Sequence, residues 1–390
     1  MVWRSLFRSF FLFLGCVELS AHATFSSLYI FGDSVSATAT NQYSGTITND
    51  YYGRRYCNGR CWVEVLAQRQ GLGANSLTNV NWAYSSNNLS FYGHYSPLLV
   101  TNVNKFTAPA NATNSLFVVW VCNADFVGDI SDASVGAPNA PNNGTNLALW
   151  TTAINQHLTN HFRAITNLYA KGARTIIAPN ALNIVTAPQF NGNADAAYNS
   201  FVRQRVINFN TNYVVMLKQI QASSPGLKIY VPDLFSLFEN ALTNAAAYGL
   251  TNALHGGLSI DVIDAVGYGL LPNANTNGPG ANYIFWDPVS PSARMQELFA
   301  DVAQQMLSPV QVAGLTPVFA NGDLANYQLD VANYPAGLNG LVLYATNLTQ
   351  SVWLTNSTFS SLTVTQAVFV NPTNSQRFYS LKFPYAWTWP

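Results

Sequence analysis

Short apolar runs alternate with long amphipathic stretches over most of the chain. Residues 27–31 (SLYIF), 116–121 (LFVVWV), 175–178 (TIIA) and 227–231 (LKIYV) are brief, mostly apolar and bounded by polar or turn-forming residues. They read as buried strands. Residues 147–171 and 195–222 are long enough for helices and close at Gly172 and at Ser224-Pro225-Gly226. A last helix is expected over 291–307, after Trp286-Asp287-Pro288. Strand and helix at this spacing predict βαβ units, hence an α/β fold with a parallel sheet covered by helices on both faces. In such sheets chemistry collects beyond the C-terminal strand ends. Gly32-Asp33-Ser34 and Cys122-Asn123 fall there.

After Pro309 the texture changes to short alternating runs (YQLDV, LVLYAT, SVWLT, TVTQAVFV, RFYSLKF) separated by Gly, Pro and Asn. This predicts a small antiparallel β-rich domain over 311–390. At the other end, Arg4 and Arg8 flank an apolar run, residues 10–17, followed by Ala21-His22-Ala23. That pattern predicts a signal peptide over 1–23, cleaved near Ala23, and a secreted, periplasmic or cell-surface protein. The run falls short of the roughly 20 residues a membrane span needs. Leu14-Gly15-Cys16 only partly matches a lipoprotein box, because Phe13 stands where Leu is usual. The main domain is expected over 24–310.

Composition narrows the partners. The 17 basic and 17 acidic residues cancel, and charged residues make up only 9% of the chain, so nothing favours nucleic acid or an anionic membrane. Past the signal segment the cysteines are Cys57, Cys61 and Cys122. Cys57 and Cys61 are close enough to bridge across Asn58-Gly59, and export permits it, leaving Cys122 free. No second cysteine pair completes a metal site, so neither metal nor cofactor is expected. His157 and His161 stand four residues apart on a helix without an H-E-x-x-H glutamate, and an exposed pair is expected. His255, in Leu-His-Gly-Gly, is expected on a solvated loop, from which it could still reach a cleft.

A serine directly after a strand, preceded by Gly and Asp, stands where a sharp turn can expose its hydroxyl. The G-x-S-x-G elbow is absent. More telling is a series of blocks in one order: Phe31-Gly32-Asp33-Ser34, Asn58-Gly59-Arg60 running into Trp62-Val63-Glu64, Asn81-Trp82-Ala83, residues 116–125, and Phe285-Trp286-Asp287. Together they resemble the GDSL, or SGNH, family of serine esterases and lipases, over roughly 26–307. The segment Leu168-Tyr169-Ala170-Lys171-Gly172-Ala173-Arg174 is similar to the one before the family's central strand.

The resemblance implies a three-layer αβα fold and ester hydrolysis. It makes Ser34 the nucleophile and one oxyanion donor, and Asp287 the acid that would orient a histidine. Three positions depart from the family. Where N-F-A-x-G-G is expected the chain has Asn81-Trp82-Ala83-Tyr84-Ser85-Ser86, so Ser85 replaces an oxyanion glycine. Where G-x-N-D is expected it has Cys122-Asn123-Ala124-Asp125: Ala124 takes the asparagine position, and Asn123 could serve only if a bulge re-aimed it. Where D-x-x-H is expected it has Asp287-Pro288-Val289-Ser290, so Ser290 stands at the histidine position and supplies no base near neutral pH. Two readings of the main domain stay open, beside a third in which the β-rich domain is the working part, an adhesion or attachment module. One is an exported ester hydrolase of low activity acting through Ser34 on a lipid, small-molecule or glycan ester. The other is a catalytically degenerate relative, a pseudoenzyme, that binds a glycan or surface partner.

Overall fold

The computed structural model describes residues 25–38, 50–70, 72, 95–191, 196–309, 311–332, 339–347, 349, 352–360, 365–370 and 377–382. The signal segment and the Asn81 to Ser86 block lie outside the described residues. Four strands, β1 (Leu28–Gly32), β2 (Leu116–Trp120), β3 (Thr175–Ile177) and β4 (Lys228–Tyr230), lie side by side in chain order, all parallel. Each falls within a residue or two of its apolar run. Every residue of β1 and β2 is buried, which explains why these strands read as continuous apolar runs rather than alternating ones.

Helices α1 (Trp62–Arg69), α2 (Tyr95–Lys105), α3 (Cys122–Ser131), α4 (Leu147–Ala170), α5 (Ala196–Ser223), α6 (Leu234–Thr243), α7 (Val262–Gly267) and α8 (Ala293–Leu307) complete the domain. One group, α2 with α3, α4 and α5, packs together and reaches β1 and β4. The other pairs α1 with α8, which also reaches β4. The sheet lies between them, giving a three-layer αβα sandwich. Helix α4 shows why the sequence folds this way. Trp150, Ala153, Ile154, His157, His161, Ala164, Ile165 and Leu168 form its buried stripe at three- and four-residue steps. The Asn146 side chain caps its first turn by accepting from the N–H groups of Ala148 and Leu149, and Gly172 ends it in the left-handed region at φ 101°. Helix α8 begins after Ser292, whose hydroxyl accepts from the Met295 N–H, rather than at Pro291.

The C-terminal segment forms two three-stranded antiparallel sheets from β5 (Gln311–Ala320), β6 (Asp323–Ala332), β7 (Asn339–Ala345), β8 (Leu354–Ser360), β9 (Thr365–Val370) and β10 (Phe378–Lys382). Their orders are β9-β6-β5 and β8-β7-β10. Two details differ from the pattern reading. Strand β5 was not among the alternating runs, and β8 starts at Leu354 instead of covering the whole SVWLT run. The β5–β6 hairpin closes on Asn321-Gly322, both at positive φ (53° and 91°), the backbone a tight two-residue turn requires. Among the described residues no helix is long and apolar enough to cross a membrane.

Candidate active site

The end of β1 is built to present Ser34. Gly32 is level with Trp120 in the parallel ladder, and the Asp33 N–H donates to the Trp120 carbonyl at 3.0 Å. The chain then folds into a 3-10 turn, Ser34–Ser36, capped by Asp33, whose Oδ1 accepts from the Val35 N–H at 3.1 Å. This turn lies back over Gly32: a Cβ there would come within 2.7 Å of Ser36 Cβ. A side chain at position 32 would therefore push the turn outward. From Phe31 to Thr38, Ser34 alone is partly exposed, and its neighbours on both sides are buried.

Asp33 ties this turn to the next strand end. Its Oδ2 accepts from the Ala124 N–H at 3.2 Å, at the start of α3. Burial pushes the Asp33 carboxyl up to about 7, against the opposing pull of the Val35 and Ala124 N–H groups; nearby Asp125 adds to the rise and Asn123 offsets part of it. Helix α3 runs unbroken through Asn123 and Ala124, with no bulge. The Asn123 Oδ1 accepts from the Leu182 N–H at 2.9 Å, while its buried Nδ2 makes no directed hydrogen bond among the described residues. Ala124 is buried and presents only a methyl group.

The Asp287 loop directly precedes α8. Asp287 is buried, its Oδ1 accepting from the N–H groups of Ser290 (2.7 Å) and Val289 (3.1 Å) and its Oδ2 from the Tyr51 hydroxyl (3.1 Å). Burial raises this carboxyl above its usual range, and these donors, with the nearby Ser290 hydroxyl, hold the rise in check. Ser290 is 1% exposed, and its carbonyl accepts from the Trp286 N–H at 2.8 Å.

The 50–62 segment stitches these parts together. Asn58 accepts from the Ala293 N–H at 2.8 Å, and its amide donates to the carbonyls of Thr276 and Ala281. A Cβ at Gly59 would meet Ala293 Cβ at 2.7 Å, which accounts for Asn-Gly in this block. The Trp62 N–H donates to Gln296, and its indole to the Ser36 hydroxyl at 3.0 Å. The Ser34 turn, the start of α8 and the Asp287 loop are thus joined through one connecting segment.

The blocks that carry the resemblance match a family model, the GDSL-like lipase/acylhydrolase, over residues 28–303. The chain belongs to this family. Among curated relatives it is 25% identical over 323 residues to GDSL esterase/lipase At1g71691 of Arabidopsis thaliana, covering 71% of this chain and 81% of that protein. It is 23% identical over 337 residues to GDSL esterase/lipase APG of the same plant, covering 74% and 92%.

For this GDSL-family chain, position 85 lies outside the described residues, and Ala124 and Ser290 carry a methyl group and a hydroxyl. The described histidines are His157, His161 and His255. His255 is exposed on a two-residue hairpin (Leu254–His255 with Leu258–Ser259), its ring stacked on Tyr268 with centroids 4.0 Å apart. His157 and His161 are not an exposed pair: both are buried, because they lie on the inward stripe of α4. His157 Nε2 bonds Asp129 Oδ2 at 2.9 Å, while its Nδ1 meets the Ser96 hydroxyl at 3.2 Å and Asp125 at 3.5 Å. This resembles a serine–histidine–acid relay, but Ser96 is fully buried and no ester can reach it.

The Cys57–Cys61 bridge is not present. All three described cysteines are free and buried. Docking of Asn58-Gly59 on α8 sends the sulfurs to separate partners, Cys57 to the Gly59 carbonyl and Cys61, which caps α1, to the Ser36 carbonyl and Glu64. Burial pushes the Cys57 thiol up to about 12 and those of Cys61 and Cys122 well above their usual range.

Sequence reasoning missed two residues at this site. Asp33 was read as part of a motif, not as the clamp to α3, although a capping Asp after a strand was a usable signal. Tyr51 carries no local signal: its hydroxyl reaches Asp287 through packing between distant segments.

Proposed function

We propose that this protein hydrolyses carboxylic esters through an acyl-enzyme on Ser34, slowly, after export by the segment 1–23. The observation that carries the reading is Ser34 as the one partly exposed residue on a turn otherwise buried on both sides. Its Oγ attacks the ester carbonyl carbon, its proton leaves to a base, the alcohol departs, and water then releases the acid. Asp287 is the acidic member of the site. The candidate donor for the oxyanion is the Ser34 N–H; Asn123, in an unbroken helix with its Nδ2 buried, is not re-aimed to add a second. With Ser290 at the histidine position the proton has no imidazole to go to, which sets the rate low. The relatives' esterase/lipase names support lipid or other acyl esters as the substrate class.

Ser290 also favours a second reading, a degenerate member that binds a glycan or surface partner. A fluorophosphonate probe separates the two. Wild type should be labelled slowly and Ser34→Ala not at all. Equal labelling of both, or none of either, contradicts the acyl-enzyme reading, and the second outcome joined to glycan retention favours the binding protein.

A further inference from the structure

We propose that Tyr51 is a positioning residue of this site: its hydroxyl takes, on Asp287, the place an imidazole N–H takes in a serine–histidine–acid arrangement. This rests on the reading of Asp287 as the acidic member of a Ser34 site. The two oxygens of Asp287 are held differently. Oδ1 accepts from two N–H groups of its own loop, Ser290 at 2.7 Å and Val289 at 3.1 Å. Oδ2 accepts from the Tyr51 hydroxyl, 236 residues away in sequence, at 3.1 Å. The loop thus fixes one oxygen and turns the other to a partner from outside, and in a serine triad that partner is the histidine. Here it is a phenol.

The phenol is held in place by packing. Tyr51 is 8% exposed and clusters with Val262 and with Trp286, the residue before Asp287. The next residue, Tyr52, donates its N–H to the Cys57 carbonyl at 3.0 Å. That turn opens the segment that docks Asn58 on the Ala293 N–H and Trp62 on the Ser36 hydroxyl. One stretch of chain therefore holds the Asp287 carboxylate, the start of α8 and the Ser34 turn. Burial pushes the Asp287 carboxyl up, and the Val289 N–H, the hydroxyl and N–H of Ser290 and the Tyr51 hydroxyl pull it back. The titratable neighbours that sense its charge are the Cys57 thiol and the Asp261 carboxyl. Neither is a cation, so hydrogen bonds carry this balance.

Tyr51 has two effects on the chemistry. It favours the ionised, fixed form of Asp287, because a hydrogen bond to the charged form stabilises that form. It also occupies the oxygen an imidazole needs. A neutral phenol already carries its proton and is a poor base near pH 7, so it orients Asp287 without relieving Ser34 of its proton. A histidine introduced at position 290 has to share Oδ2 with it.

The test is a double-mutant cycle of Tyr51→Phe and Ser290→His. It is read as the rate of Ser34 labelling by the fluorophosphonate, with Ser34→Ala as the blank and Tyr52→Phe as the control for Tyr51→Phe. Phe keeps the ring packing and removes only the hydroxyl. The freed Oδ2 should then hold the imidazole. The double variant should be labelled at least about tenfold faster than the two single effects multiplied together, a coupling usual for groups that share one hydrogen-bond network. A merely structural tyrosine gives independent effects, and independence overturns the proposal. Urea unfolding of wild type and Tyr51→Phe from about pH 3 to 8 reads the bond without catalysis. A raised carboxyl stabilises below its unfolded value, about 4, and loses that contribution as pH rises through the folded value. Without the phenol the folded value rises further, so more is lost. The cost of Tyr51→Phe should therefore grow as pH rises through the carboxylate range, and a pH-independent cost overturns the bond to an ionised Asp287. If Ser34 is labelled in no variant, the acylation reading fails, while the unfolding curves still decide Tyr51.

Discussion

At the scale of single residues, the site depends on what each position can donate, accept or leave empty. Gly32 leaves empty the space that the Ser34 turn occupies, 2.7 Å from where its Cβ would lie. Asp33 spends both oxygens on backbone N–H groups, one in its own turn and one in α3. Under the proposed function, Ser290 and Ala124 are the weak points: a hydroxyl where a base is needed, and a methyl where a donor is needed. Ser290→His places an imidazole three residues after Asp287, where the carboxylate can hold its tautomer. General-base catalysis is worth roughly 10²–10⁴-fold, so ester turnover should rise at least about tenfold even in an imperfect geometry. Adding Ala124→Asn should raise it again. Steady-state hydrolysis of an activated ester, corrected with Ser34→Ala in the same background, checks this, and no gain in the double variant would contradict the assignment of these positions.

At the scale of elements, buried charge couples the helices. His157 on α4 joins Asp125 and Asp129 of α3, with Ser96 of α2 held by the Asp125 carboxylate, the imidazole and Asn160. Burial by itself would lower the His157 imidazole, but the charge of Asp125 and the bond and charge of Asp129 outweigh it and raise it to about 9. Its neighbour His161, also buried, is lowered. Because the folded value lies above the unfolded one, the stabilisation is complete below about pH 6.5 and is lost as pH rises through about 9. His157→Phe leaves buried carboxylates uncompensated and should cost about 3–5 kcal/mol at neutral pH. In urea unfolding, this difference should shrink above pH 9; a constant difference would mean the imidazole is neutral in the fold. The other helix group has its own buried pair, Arg69 on α1 with Asp301 on α8.

For the whole molecule, few charges lie on the surface and many titratable groups lie inside. Charged residues are 9% of the chain and their signs cancel, so long-range repulsion contributes little to the pH dependence of folding. The buried groups then dominate. Asp33, Asp261 and Asp301 are each pushed up to about 7, with burial the largest cause, and His157 to about 9. In all four the folded state binds more protons than the unfolded chain between their two values, so stability falls as pH rises. The unfolding temperature should therefore be highest in the mildly acidic range and decline from about pH 5 to 9. A flat or rising profile would show that these groups ionise in the fold without cost.

The sequence by itself determined the architecture and the family. Apolar runs and amphipathic stripes are local patterns, and they marked β1 to β4, α4, α5 and α8 to within a residue or two. Blocks in fixed order carried the family, and the strand-then-serine pattern put Ser34 at a sheet edge. What only the tertiary structure decided was which distant groups meet. His157 and His161 gave a helical spacing but not the helix face they share, and that face is buried. Cys57 and Cys61 gave a bridging distance along the chain, yet Asn58-Gly59 docking on α8 directs their sulfurs apart. Tyr51 and Asp287 are far apart in sequence and meet where Tyr51, Val262 and Trp286 pack together. Proton affinity depends on burial and on neighbours within a few ångströms, and those are properties of the folded chain, which is why the acids and bases of this site could be named from sequence but not weighed.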